Sequence, residues 1–259
     1  MKFCNLASGS KGNCTYVESE NTAVLIDDGI SLKELEKRAN LSNIDLNKVS
    51  ALFVTHEHCD HIGGIASFSK KYKVNIYGPD PSMDQLYDKN VDGHLLHLFD
   101  CVNGIKIDDM NISSFRLPHD AIYTQGYILE SQGKKIVLST DLGYISKATF
   151  EKYKGADLIY LESNYDEEML KNGPYPFYLK KRILGNNGHL CNTESARAVA
   201  ALKNEGVERF VLAHLSENNN TKDKVTNTLS QRLDMENIKL GSLELTIADQ
   251  YIPSEVLKI

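Results

Sequence analysis

The segment that most constrains the fold of this chain is His56-Glu57-His58-Cys59-Asp60-His61, which directly follows an apolar run at 51–54. The run predicts a short buried strand, and side chains two residues apart in extended backbone point to the same side. His56 and His58 can therefore converge on one metal ion. The spaced apolar residues Ile62, Ile65, Ala66 and Phe68 predict a helix that begins here, with its N-terminus beside the motif. The chain must thus bring a strand end and a helix start together around four metal-binding side chains.

Size and composition describe an ordinary globular protein. The 259 residues predict one domain over 1–259, and 41% hydrophobic with 25% charged residues provide for a normal core. The net charge of −6 argues against broad nonspecific adhesion to nucleic acid, although it leaves room for a local basic groove. No stretch has the length of a membrane span and the N-terminus lacks a signal-peptide pattern, so we expect a cytoplasmic protein without a membrane partner.

The five cysteines are scattered and form no C-x-x-C pair, which predicts reduced thiols rather than disulfides. Cys59 lies inside the metal motif. Because it alternates with His58 and Asp60, we expect a buried filler position there rather than a metal ligand.

Strand and helix patterns alternate along the chain in two mixed halves. Strands dominate the first 30 residues and the region 95–139, with a capped helix from Leu32 to Arg38 between them. Helices dominate after Asp141, interrupted by strands at 157–161 and 209–213. This pattern predicts an α/β fold in which two mixed sheets pack face to face with helices outside, an αββα sandwich.

Three further polar residues stand immediately after strong strand patterns, where a sheet presents its functional edge. They are His119, Asp141 and His214. A catalytic metal needs at least three protein ligands, and seven candidates exceed what one tetrahedral ion uses, so the count predicts two divalent metal ions. The predicted arrangement places His56, His58 and His119 on one ion and Asp60, His61 and His214 on the other, with Asp141 bridging them.

Two adjacent cations lower the pKa of a bound water molecule and so predict hydrolytic chemistry. Asp60 is a candidate to hold the proton of that water and is therefore predicted to be catalytic as well as a ligand. His-rich sites with a bridging aspartate accept manganese or zinc, and iron is a further option, so the pattern does not fix the metal.

The motif at 56–61, followed by His119, Asp141 and His214, resembles the ligand pattern of the metallo-β-lactamase superfamily. Members of that superfamily have the αββα fold with the metals at one edge of the two sheets. The resemblance implies that Asp27, at a strand end before Gly29, supports the metal site without binding a metal itself. The segments 6–13, 161–165, 175–183, 188–192 and 212–219 are similar to the YycJ/WalJ branch over essentially the full chain. That resemblance implies a metal-dependent exonuclease that acts on double-stranded DNA from the 5′ end, favours manganese and takes part in DNA repair. Where relatives carry serine, this chain has Cys191.

Residues that contact the substrate are predicted in two of these segments, 175–183 and 188–192. His189 follows a glycine just before a helix start and is a candidate to contact the phosphate or the leaving oxygen, although a structural histidine is the alternative. Lys181, Arg182 and Asn192 are predicted to bind the DNA. The aromatic residues of 175–178 could stack on a terminal base or pack the segment onto the core.

Two other functions remain open from the sequence. A small-molecule hydrolase, such as a cyclic phosphodiesterase, thioesterase or lactonase, would use the same metals in a closed pocket. A noncatalytic nucleic-acid-binding module is disfavoured because no ligand of the set is missing. The sequence does not reveal the oligomeric state.

Overall fold

The computed structural model describes residues 1–101 and 104–259. Their strands form two mixed sheets of seven strands each, accompanied by helices, which confirms the predicted α/β class. The chain divides into two compact units, while one domain over 1–259 stays a prediction. Unit 1 comprises Met1–Arg116, Ala121–Lys134 and Asp249–Ile259, and unit 2 comprises Leu117–Asp120 and Lys135–Ala248. Among the helices of the described residues, none is long and apolar enough to cross a membrane.

The strands and helices are numbered in chain order. The strands are β1 (Lys2–Ala7), β2 (Cys14–Glu18), β3 (Ala23–Ile26), β4 (Val49–Phe53), β5 (Asn75–Gly78), β6 (Leu96–Leu98), β7 (Ile105–Ile107), β8 (Met110–Leu117), β9 (Thr124–Ser131), β10 (Lys134–Ser139), β11 (Leu158–Glu162), β12 (Arg209–Ala213), β13 (Glu244–Ile247) and β14 (Leu257–Lys258). The α-helices are α1 (Leu32–Leu41), α2 (Cys59–Ile62), α3 (Ile65–Tyr72), α4 (Asp80–Asp88), α5 (Lys147–Tyr153), α6 (Glu167–Asn172), α7 (Phe177–Ile183), α8 (Asn192–Asn204) and α9 (Lys222–Met235).

Unit 1 contains a complete seven-stranded sheet in the order β14-β1-β2-β3-β4-β5-β6. Strands from β14 to β3 pair antiparallel, and those from β3 to β6 pair parallel. Leu25, Leu52 and Ile76 stand in register across the parallel part and are fully buried, as expected for strands covered on both faces. Because Ile26 pairs with Phe53, β3 and β4 end at the same edge of the sheet.

Unit 2 contains the parallel strands β10, β11, β12 and β13. Ser139 pairs with Leu161 and Glu162 pairs with Ala213, so β10, β11 and β12 end at one sheet edge. The carboxyl edge of parallel strands is where open α/β sheets carry their functional side chains. The residues that follow these strands are therefore placed close together by the register.

Candidate metal centre

In unit 1, the predicted motif gathers three imidazole rings beyond the end of β4. The ring centroids of His56 and His58 are 4.6 Å apart, and those of His56 and His61 are 4.1 Å apart. His58 has extended backbone and caps α2, so the chain turns from strand into helix within the motif, as its spacing predicts. Asp60 lies in this helical turn with 19% of its side chain exposed. Clustered imidazoles beside a carboxylate are a donor set that divalent metals bind.

Asp27 holds one of these rings in a fixed orientation. It follows β3 with a φ of 59°, a left-handed conformation that is uncommon outside glycine. Its carboxylate accepts the Thr55 N–H at 2.8 Å and the Thr55 hydroxyl at 2.9 Å, and lies 2.8 Å from Nδ1 of His61. Burial raises the pKa of Asp27, whereas His61 lowers it. Since Nδ1 of His61 faces the carboxylate, Nε2 is the nitrogen that would bind a metal.

Asn13 links the loop after β1 to the motif. Its side-chain oxygen accepts the Gly9 N–H at 2.9 Å. Its amide nitrogen lies 3.2 Å from Oδ2 of Asp60 and 3.0 Å from Nε2 of His61. The loop therefore supports the carboxylate and the ring that the sequence predicts as ligands.

Unit 2 carries the other three predicted ligands, each just beyond a strand. His119 follows β8, Asp141 follows β10 and His214 follows β12. Asp141 has a φ of 61° and His214 a φ of 57°. Residues held in this sparsely populated region concentrate at functional sites. Asn164 helps to hold one of them, because its amide donates to the His214 carbonyl at 2.7 Å.

Glu162, at the end of β11, is fully buried and contacts two histidines at once. Its Oε1 lies 2.7 Å from Nδ1 of His189 and 3.0 Å from Nδ1 of His214, and its Oε2 accepts the Leu142 N–H at 3.0 Å. Burial opposes the charge, but the contacts with His189 and His214 outweigh it and hold the pKa of Glu162 below its usual value. An ionised carboxylate that fixes histidine rings in this way is a common feature of metal sites.

Asp141 lies at the centre of the histidines of unit 2. Its Oδ1 is 3.5 Å from Nδ1 of His214, 3.6 Å from Nδ1 of His189 and 3.8 Å from Nε2 of His119. Asp141, Glu162, His189 and His214 offer ligand atoms that all lie within 4.8 Å of one another. Unit 2 therefore groups four side chains of the kinds that bind divalent metals. His189, predicted to contact the substrate, belongs to this cluster.

His119 is prepared to act as a neutral ligand. Its Nδ1 lies 3.0 Å from the Gly188 carbonyl, which leaves Nε2 on the side of Asp141. Burial lowers the pKa of His119, and the negative charge of Asp141 only partly offsets this effect. A metal ligand must be deprotonated, so a lowered pKa favours metal binding near neutral pH.

The predicted substrate residues differ in their exposure. Arg182, on α7, has 52% of its side chain exposed and forms a bidentate ion pair with Asp120, with Nη2 3.1 Å from Oδ1. Lys181 lies on the same helix, and Phe177 is 82% exposed, so this aromatic does not pack onto the core. Asn192 is 3% exposed, and its amide is bonded to Ser163 and Asn220 inside unit 2.

Three supporting residues and one cysteine were not anticipated correctly. Thr55, Asn13 and Asp120 were not predicted as site residues, although Thr55 directly precedes the motif and Asp120 directly follows His119. Oδ1 of Asp120 lies 3.3 Å from Nε2 of His119. The expectation of a buried Cys59 is wrong: this thiol is exposed, because it opens α2 on the outer side of the turn. All five cysteines are free, as predicted.

A family model described as a beta-lactamase superfamily domain matches residues 22–215 of the chain. Exodeoxyribonuclease YycJ of Bacillus anthracis is 34% identical, with 99% of this chain and 98% of that protein covered. Exodeoxyribonuclease WalJ of Streptococcus pneumoniae is 33% identical, with 93% and 91% covered. Among solved structures, the metallo-beta-lactamase fold protein YhfI of Bacillus subtilis matches with a TM-score of 0.71 at 17% identity, with 98% of both chains covered. The likeness to YhfI is one of fold.

Proposed function

The chain belongs to the metallo-β-lactamase superfamily and to its YycJ/WalJ branch, and from this premise we propose that it is a metal-dependent 5′-to-3′ exonuclease of double-stranded DNA. The observation that carries the DNA substrate is the nearly full-length similarity to two proteins named exodeoxyribonucleases. The predicted superfamily fold is confirmed. Polarity, the preference for duplex DNA, a role in DNA repair and a cytoplasmic location come from the sequence and its resemblance, and they belong to the proposal.

The proposed centre holds two divalent ions, manganese or zinc, with iron as a further option. His56, His58, Asp60 and His61 come from unit 1, and His119, Asp141 and His214 come from unit 2, as the sequence predicts. The donor chemistry of each unit supports this set, since imidazoles and carboxylates cluster in both. When bound, such ions supply a nucleophile from water at neutral pH and positive charge for the phosphate.

The chain's own carboxylates prepare the ligands for this chemistry. Asp27 fixes the ring of His61, and Glu162 fixes the ring of His214. Fixed rings need no reorganisation when a metal binds, which raises affinity and preserves the geometry of the site. Asp60 is 19% exposed and is proposed to hold a proton of the attacking water in addition to its ligand role.

His189 is proposed to contact the phosphate or the leaving oxygen. Its side chain is 17% exposed, compared with 2% for His214 and 1% for His119, so it is the histidine of this cluster that solvent and substrate can reach. Its Nδ1 faces Glu162, which assigns proton transfer to Nε2.

Lys181 and Arg182 are proposed to bind the DNA backbone. Both lie on α7, whose exposed Phe177 and Tyr178 offer faces on which a base can stack. Arg182 is held by Asp120, the residue next to the proposed ligand His119. Asn192, predicted to bind the DNA, is proposed instead to position the start of α8, because its side chain is buried and bonded to Ser163.

The testing experiment compares substrates on purified protein loaded with manganese or zinc. We expect turnover of 5′-phosphorylated duplex DNA to exceed that of single-stranded DNA, RNA and bis-p-nitrophenyl phosphate, with mononucleotides released from the 5′ end. If only the small phosphodiester is hydrolysed with either metal, the exonuclease proposal is wrong and a small-molecule hydrolase is favoured. A chelator-treated sample serves as the control for metal dependence.

A further inference from the structure

The apolar side chain of Ile122 is largely exposed to solvent, while two charged side chains hydrogen-bond to its backbone. It is 73% exposed. Its N–H donates to Oε1 of Glu57 at 2.7 Å, and its carbonyl accepts from Nη2 of Arg116 at 3.1 Å. Single exposed apolar residues are common on protein surfaces and need no function. Here, however, both backbone polar groups of the residue are anchored by side chains.

The anchoring extends to the next residue. The guanidinium carbon of Arg116 lies 3.8 Å from the ring centroid of Tyr123, so the cation stacks on the aromatic face. Arg116 therefore holds the Ile122 carbonyl while its own plane is held by Tyr123. This arrangement fixes the backbone and leaves the isoleucine side chain pointing into solvent.

The anchor on the other side belongs to the metal motif. Glu57 stands between His56 and His58, and its hydrogen bond ties Ile122 to the segment that carries these rings. Ile122 also lies three residues after His119 in the chain. The backbone of Ile122 is thus fixed to the segment 56–58 of unit 1, which carries two proposed metal ligands.

We propose that Ile122 is a substrate-contacting residue that packs against the terminal base of the DNA end, an inference that rests on the proposed exonuclease function. The apolar chemistry of the exposed side chain favours the base over the phosphate. Glu57 and Arg116 carry opposite charges and both bond to the backbone of Ile122, so neither sign of charge dominates there and the apolar side chain fits the uncharged face of a base. Aliphatic side chains of this kind insert against base steps in other DNA-binding proteins. Ile122 therefore supports the end of the duplex, while the metal ligands act on the phosphodiester backbone of the DNA.

The test uses the full-length, metal-loaded protein and the variant Ile122→Ala. We expect KM for 5′-phosphorylated duplex DNA to rise about tenfold, a change typical of losing one base contact. Turnover of bis-p-nitrophenyl phosphate, metal content and Tm should remain at wild-type values, because the side chain is exposed. Ile122→Leu should restore the KM for DNA. Leu41→Ala, which removes an exposed apolar side chain on α1, is the matched control and should change none of these values.

A spectroscopic readout locates the contact. Duplexes carry 2-aminopurine at the terminal or at the tenth nucleotide, and binding is followed in calcium to suppress hydrolysis. We expect the wild-type protein to change emission at the terminal position, and Ile122→Ala to abolish that change. Unchanged kinetics and unchanged terminal emission in Ile122→Ala would overturn the inference, as would an equal loss on DNA and on the small phosphodiester. A wild-type protein that hydrolyses no DNA would instead refute the proposed function.

Discussion

Nδ1 of His189 lies 2.7 Å from Oε1 of Glu162, a carboxylate with no exposed side-chain surface. The same oxygen is 3.0 Å from Nδ1 of His214. One buried charge thus sets the orientation of an accessible histidine and of a proposed metal ligand. This shared dependence predicts that Glu162 affects both metal binding and proton transfer.

Glu162→Gln should lower metal affinity about 10- to 100-fold, because the amide cannot stabilise both rings as a carboxylate does. Metal content after dialysis at defined free metal, measured by mass spectrometry, checks this. At saturating metal, we also expect a lower kcat, since the ring of His189 loses the carboxylate that fixes its orientation. Ser139→Ala removes another buried polar group of unit 2, a hydroxyl that bonds Tyr153, and serves as the control. Wild-type metal affinity in Glu162→Gln would contradict the prediction.

Asp27→Asn should lower metal binding by a similar factor while the fold is retained. Asparagine tolerates the left-handed backbone of position 27, whereas alanine there adds strain. The loss arises because an amide at this position cannot be a pure acceptor for Thr55 and His61 at once. Calorimetric metal titration measures the affinity, and circular dichroism verifies the fold. If the Asp27→Asn variant and the wild-type protein bind metal with equal affinity, metal binding by His61 does not depend on this carboxylate.

Asp141→Asn should abolish DNA hydrolysis and lower bound metal. The carboxylate is the proposed bridge, and asparagine keeps both its size and its access to a φ of 61°. Asp141→Ala should give the same loss of activity with an added loss of stability from backbone strain. Activity above one per cent of wild type in Asp141→Asn, with metal content unchanged, would argue against the bridge.

Much of the site was readable from sequence because its residues follow strand ends. His56, His119, Asp141 and His214 each stand after an apolar run, and in unit 2 the parallel register brings the ends of β10, β11 and β12 to one sheet edge. The supporting contacts were harder to predict, since they depend on residues far apart in the chain. Nothing in the sequence pairs Asn13 with Asp60, and no spacing rule places Ile122 against Glu57.

Errors in the predicted fold have local causes. The helix α4 is not among the predicted elements, although Pro81 lies near its N-terminus, where proline favours a helix start. Cys59 was expected to be buried because strand alternation was extended past His58. The backbone turns into α2 at that point, so the two-residue period no longer applies.

Lys181→Ala and Arg182→Gln should each raise KM for DNA without changing metal content or bis-p-nitrophenyl phosphate turnover. Each variant should also reduce the slope of log KM against log salt by about 1, the value for one lost phosphate contact. Arg197→Gln is the control, because Arg197 has a similar exposure of 55% and also pairs with a neighbouring acid. An equal effect of Lys181→Ala on both substrates would contradict a role in DNA binding.

Asp28, which is not a proposed metal ligand, predicts that the free energy of unfolding depends on pH. Burial raises its pKa to about 8, and the charge of Asp27 adds to the increase. Because the folded pKa lies above the unfolded value of about 3.9, its contribution to stability is complete below pH 4 and is lost as the pH rises to 8.

Asp28→Asn removes this titration. The free energy of unfolding of Asp28→Asn, relative to wild type, should therefore increase between pH 4 and pH 8, by at most on the order of 5 kcal/mol. Urea unfolding of chelator-treated protein across this range measures the difference, with the exposed Asp88→Asn as the control. Parallel stability profiles for wild type and Asp28→Asn would show that Asp28 is ionised throughout, in which case its surroundings must stabilise the charge.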